Sequence, residues 1–235
     1  TNDPPIYTGL LLALGQPVDR PISAWQEMFL PLAMREWIRT IQVTGADGRQ
    51  HPLVKSERTL FGSTAPAPPG RPPSWLLMYL IGGLVIGGST VALSSAVGQN
   101  RVARWVFLLV VWIWSLVSGI AGVILAGLWG LTDHAAAYHN ENVLQADLLS
   151  LLLIWWLTRL VLGAPTRARA AMMVAAVIAA LSLLGLLLKL LPQFYQVNGQ
   201  VIALALPAHA GVALAVYRLG SQELRTRASS SWASG

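Results

Sequence analysis

Residues 132–142 read TDHAAAYHNEN. They hold His134 and His139, the only close histidine pair in the chain, with Asp133, Glu141, Tyr138, Asn140 and Asn142, and no Lys or Arg. A histidine beside a carboxylate can serve general acid–base chemistry. The two histidines are five residues apart, not at the i, i+4 spacing that sets two ligands on one helical face. No third ligand is evident, so neither a metal nor another cofactor is expected. Capping explains part of the segment without any function. Thr132 or Asp133 can cap a helix start, Asn140 and Asn142 can cap the following helix, and Glu141 suits a helix N-terminal dipole. His134, His139 and Tyr138 are left over.

Two further ionisable residues interrupt apolar sequence: Asp147, and His209 two residues after Pro207. Such groups usually face a bundle interior or a wet cavity, and a proline frees backbone groups that a neighbour can satisfy. One reading has both lining an outward-opening pocket beneath the 132–142 loop. The other has a neutral, hydrogen-bonded His209 and an Asp147 at interface depth.

The elements that must position these residues are membrane helices. Of the 235 residues, 54% are hydrophobic and 11% charged, against about 25% charged in globular proteins. From Trp75 onward five apolar segments run over roughly 75–97, 102–131, 143–163, 170–191 and 201–218. A helix needs about 20 apolar residues to cross the hydrocarbon core. The second segment is long enough to tilt or protrude; the fifth is the shortest. The expected fold class is an all-α polytopic membrane protein with about five transmembrane helices and a small mixed α/β N-terminal extracytoplasmic segment.

The charges give an orientation. Nine Lys/Arg follow residue 74. Arg101 and Arg104, then Arg159, Arg167 and Arg169, then Arg218, Arg225 and Arg227 fall at alternate connections; Lys189, at the end of the fourth segment, can snorkel. The positive-inside rule then assigns a cytoplasmic C-terminus. The N-terminal region, the 132–142 loop and QFYQVNGQ (193–200) face outward. Basic residues placed this way speak for a bilayer partner and against nucleic acid.

Residues 1–61 are polar and apolar in mixture. Ser23 and Gln26 have capping-box spacing, which predicts a short helix over 23–29, and Pro31 suits the start of a second helix reaching Ile41. Leu30, Met34, Trp37, Ile38 and Ile41 share a face that needs a partner. Ile41–Val43, Asp47-Gly48 and Pro52–Lys55 suggest a hairpin. Residues 62–74 (GSTAPAPPGRPPS) have five prolines in thirteen and read as an extended linker. The expected organisation is 1–61 extracytoplasmic, 62–74 linker, 75–218 membrane domain and 219–235 cytoplasmic tail. Gly83/Gly87, Ser115/Gly119 and Ser118/Gly122 have small-xxx-small spacing, read as packing within the bundle. Trp75, Trp105 and Trp129 lie near span ends, as an aromatic belt does. The chain starts at Thr1 without a signal-peptide pattern, which reads as a mature product or a fragment of something longer.

The run T-D-H-x5-N-E-N-x-L (Thr132, Asp133, His134, Asn140, Glu141, Asn142, Leu144) resembles an outer-loop motif of the Lnb-type family of bacterial lipoprotein intramolecular acyltransferases. GQPVDRPISAWQEMFLP (15–31) and HPLV (51–54) resemble the end of that family's extracytoplasmic domain, and the proline-rich linker and helices follow in the family's order. The resemblance implies a bacterial inner-membrane protein. It also implies acyl transfer within a diacylated lipoprotein, from glycerol to the N-terminal amine, with lipoprotein or phospholipid as the substrate partner. It implies a papain-like domain with Cys and His as well. This chain has no Cys, so no nucleophile carries over and the catalytic residue is unknown. His134, Asn140 and Asn142 carry over as supporting or substrate-binding positions, joined by Asp133, His139, Glu141, Asp147 and His209. A non-catalytic anchor or assembly subunit is the alternative, and a transporter subunit a third reading, without the internal repeat such folds show.

Overall fold

The computed structural model describes residues 3–62, 64, 74–163 and 167–233. Almost all of the proline-rich linker therefore lies outside the described residues. The chain divides into two compact units: Thr1–Asp19 with Pro72–Gly235, and Arg20–Arg71.

In the smaller unit, α1 being Pro4–Ala13 of the larger one, helix α2 spans Ala24–Glu27 and α3 spans Pro31–Thr40. Ser23 and Gln26 form the expected capping box: the Gln26 amide donates to Ser23 Oγ at 3.2 Å and the Ser23 amide to Gln26 Oε1 at 3.0 Å. Arg39 donates to both carboxylate oxygens of Glu57 at 2.7 Å and also bonds Glu36. This guanidinium holds both carboxyls below the usual glutamate range. Strands β1 (Gln42–Thr44) and β2 (Gln50–Pro52) pair antiparallel with Val43 opposite His51. The second strand comes earlier than Pro52–Lys55. Gly48 at φ 75° makes a tight turn closed by the bond from the Gly45 amide to the Arg49 carbonyl, so pairing resumes at once. Met34 and Ile38 meet Val54 in a shallow cleft, while Leu30, Trp37 and Ile41 stay exposed.

Among the described residues, the larger unit has five helices long and apolar enough to cross a membrane. They are α4 (Leu76–Ser94), α5 (Arg101–Gly130), α6 (Leu149–Val161, extended into a span by the Glu141–Leu144 3-10 turn), α7 (Ala168–Leu188) and α8 (Gly199–Ala233). At a rise of about 1.5 Å per residue, α5 is ~45 Å long and must tilt or protrude. Helix α8 does not end near Tyr217. It continues through the expected tail, with Pro207 inside. The helices close a ring in the order α4, α5, α6, α7, α8 and back to α4. Its apolar core includes Phe107, Leu108, Val111, Leu153, Leu157, Ile178 and Val216.

Arginines mark one end of this ring. Arg104, the end of α6 and the last third of α8 share a cleft there, and Arg159 and Arg167 stack over Trp155 and Trp156. The other end carries residues 131–148 and 189–198, and is called the loop end below.

The small-residue pairs pack within the molecule. A Cβ on Gly83 would strike the carbonyls of Ala203 and Leu204; one on Gly87 would strike that of Pro207, and Gly211 meets the Gly87 backbone. The Ala203 carbonyl lies four residues before Pro207, which has no N–H to offer it. Close approach of α4 lays the Gly83 backbone against that carbonyl instead. Gly122 lies against the backbone of Ala146 and Asp147, and Ser150 Oγ meets Ser118 Oγ at 3.3 Å.

Gly87→Val should destabilise the bundle by about 1–3 kcal/mol through overpacking. Gly88→Val, where an added Cβ meets nothing within 4 Å, should be tolerated. Thermal unfolding in detergent compares them; equal midpoints would contradict this packing.

Candidate functional site

Helix α1 begins with Asp3 accepting the Ile6 amide and with prolines in its first turn. Its last carbonyls lack intrahelical donors, as every helix end does. Side chains of the loop end supply them. Asn140 Nδ2 donates to the Leu12 carbonyl at 2.7 Å. Asn142 Nδ2 donates to Leu11 at 2.8 Å and Leu12 at 3.2 Å. Gln196 Nε2 donates to Leu14 at 2.8 Å. The turn after α1 is held by backbone contact: the Gly15 amide bonds the Ala136 carbonyl at 2.8 Å, and a Cβ on Gly15 would overlap the Tyr138 carbonyl. Asp19 accepts the Val197 amide at 2.8 Å. Midway along α1, Gln200 donates to the Tyr7 hydroxyl at 3.0 Å and Thr8 bonds Tyr79 of α4.

Glu141 lies at the centre, buried. Its carboxylate accepts from Gln16 Nε2 at 2.9 Å, from the Gln196 amide at 3.0 Å and from the Lys189 ammonium. Lys189 also donates to the Gln196 carbonyl at 2.7 Å, and the Glu141 amide to Gln196 Oε1 at 2.7 Å. Lys189 therefore turns inward to a buried carboxylate. A buried charge is tolerable when paired and hydrogen-bonded in this way.

The sequence-selected residues separate into groups. Asn140, Glu141 and Asn142 come together and grip the N-terminal segment; Asn140 also accepts the Asn142 amide, the capping role expected of it. Thr132 bonds the Leu128 carbonyl, closing the end of α5, and Tyr138 OH donates to the Thr132 carbonyl at 2.8 Å. Asp133 and His134 are exposed. His139 adopts a left-handed φ of 51° and packs on Trp129 with ring centroids 5.8 Å apart. Asp147 sits at the break before α6, buried without a hydrogen-bond partner among the described residues. His209 is equally buried and unpartnered, beside Trp114 at 5.5 Å. Its nitrogens do not serve the groups that Pro207 frees. Among the described residues no cluster of three or more His, Asp or Glu could hold a metal.

Sequence reasoning passed over Gly15, Gln16, Asp19, Lys189, Gln196 and Asn198, the last donating to Asn142 Oδ1 at 3.0 Å. The polar run QFYQVNGQ, on the same side as the 132–142 loop in the alternating topology, was the available signal.

Two cavities adjoin this joint. One, about 430 Å³, lies between α1, the turn to Asp19, and Gln196–Val197. The other, about 490 Å³, lies between the loop ends of α5 and α7 and is closed on one side by Gln16.

A family model described as Lnb transmembrane domain matches residues 80–219. No curated protein and no solved structure matches the chain.

Asn142→Ala removes the donor to two carbonyls and should loosen the N-terminal segment by about 1–3 kcal/mol; Gly15→Val should do so by steric overlap. Limited proteolysis should then cleave within residues 4–19, whereas exposed Asp133→Ala should behave as wild type. Equal protection in all variants would contradict the docking.

Proposed function

We propose, from the premise that the chain belongs to the Lnb transmembrane domain family, that it is the membrane-embedded part of a bacterial acyltransferase-like enzyme. In this reading it lies in the inner membrane with its loop end facing out. It serves an acyl-transfer site that works on lipoprotein or lipid substrates at the outer face. The observation that carries the reading is the convergence of the N-terminal segment and two polar loops at the end opposite the arginines. Arginine placement supports the orientation.

The helices then have a positioning role. They fix an outer segment against the membrane at the level where lipid esters lie, and alignment of reacting groups is worth a large part of an enzymatic barrier. With no Cys in the chain, these residues supply no thiol nucleophile. Asn140 and Asn142 support the site by holding backbone. His134 is exposed, without a side-chain hydrogen bond among the described residues, and is free to meet a substrate or a neighbouring domain.

A second reading, a non-catalytic anchor, draws on the fact that both asparagine amides are spent on α1 carbonyls. The two diverge at His134. His134→Ala leaves the docking bonds intact, so an anchor should tolerate it. The enzyme reading expects His134→Ala and Asn142→Ala to abolish acyl transfer at normal membrane abundance. Mass spectrometry of a diacylated lipopeptide incubated with membranes reads the outcome; full transfer by both variants would sink the enzyme reading.

A further inference from the structure

We infer that the cavity of about 490 Å³ between the loop ends of α5 and α7 binds one acyl chain of an ester lipid, its carbonyl end at His139. The volume is that of a small-molecule site. The inference rests on the acyl-transfer reading for its purpose, and on geometry for its location.

The walls are apolar: Trp129 from α5, Val143 and Leu144 from the 3-10 turn, Leu188 from α7, and Phe194. Polar groups crowd one rim. Most are already occupied. Asn140 holds the Leu12 carbonyl, Glu141 is neutralised by Lys189, and the Gln16 amide donates to Glu141 and to the Gln193 carbonyl at 2.8 Å. The side chains of His139 and Gln193 have no hydrogen-bond partner among the described residues, so they remain to receive a ligand. His139 is held in a left-handed conformation, uncommon for a residue with a side chain. A tilted ring contact with Trp129 holds its imidazole at the cavity edge. Backbone strain of this kind gathers at functional sites.

The chemistry selects the ligand class. An apolar slot excludes a sugar or a peptide backbone, whose polar groups would go unpaired. Glu141 is paired with Lys189 and no Lys or Arg is among the described lining residues, so nothing fixed in charge holds a fatty-acid anion and the slot admits a neutral ester. Helices α5 and α7 are spans that end at Gly130 and Leu188, so the rim lies where apolar sequence gives way to polar sequence, as the ester level of a bilayer does. Gln16 closes the cavity from the docked N-terminal segment, which makes the slot a joint product of bundle and segment.

The test is photolabelling of the purified protein with two probes carrying a diazirine in one acyl chain, a phospholipid and a diacylglyceryl lipopeptide. Labelled residues are read by mass spectrometry. Labelling at Leu144, Leu188 or Phe194 by either probe supports the site, and the probe that labels identifies the lipid source. Leu144→Trp and, separately, Leu188→Trp fill the slot and should abolish that labelling. Leu84→Trp, on an exposed face of α4, should leave it unchanged. His139→Ala should reduce labelling by ester probes and leave labelling by matching ether probes as it was. Labelling at the three wall residues no stronger than at Leu84, or unaffected by both tryptophans, overturns the inference. Binding is read without turnover: a labelled slot in a protein with no transfer activity sinks only the enzyme reading, and transfer without labelling sinks only this one.

Discussion

A buried carboxylate governs the loop end. Removing Glu141 from water carries a penalty of several kcal/mol unless partners replace the solvent. The replacements come from two stretches far from Glu141 in sequence: Gln16 after α1, and the loop that follows α7, through Lys189 and the backbone of Gln196. Each must arrive for the charge to be tolerable. The N-terminal segment, the 3-10 turn and the last loop are therefore bound to one another through a single side chain. Around it, Asn140, Asn142 and Gln196 complete the end of α1. The cost of an unsatisfied carbonyl and that of an unpaired charge enforce the same arrangement.

The bundle below solves a different problem. In lipid, apolar surface gives helices no reason to associate, so close contact of small residues has to hold them. Gly83, Gly87 and Gly211 let α4 and α8 touch at backbone level where Pro207 has broken the ladder. This contact places the first turns of α4 and α8 beside one another, and there Tyr79 and Gln200 receive α1 through Thr8 and Tyr7. Packing in the membrane thus sets the seat on which the polar network is built.

Much of the fold was legible because its signals are local. Twenty-residue apolar runs, the Ser23–Gln26 box and the glycine spacings each report on their own neighbourhood, and five spans follow from them. The ends of elements were less legible: α8 runs on past residue 218 because the sequence after Tyr217 has strong helix formers (Leu219, Gln222–Arg225) and no proline, which outweigh the single Gly220. The site was half legible. Its polar loop stood out against apolar flanks, and Asn140 was expected to cap a helix start. That Asn142 and Asn140 instead also hold the far end of α1, some 130 residues away in the chain, depends on three-dimensional proximity that no spacing encodes. His139 drew notice as half of a histidine pair, whereas its structural distinction is a backbone conformation and a Trp129 contact. Asp147 and His209 remain buried polar groups apart from the loop network, and neither lines the two cavities that adjoin it.

The claim that one buried charge joins the N-terminal segment to the membrane bundle is tested most directly by hydrogen exchange on wild type and Glu141→Gln in the same bilayer discs. The neutral amide leaves Lys189 without its counter-charge and keeps the side-chain shape. Exchange should accelerate together at residues 11–16 and 189–198, while the amides of α5 and α7 keep their protection. Unchanged exchange at both stretches, or acceleration at one alone, would contradict the joint.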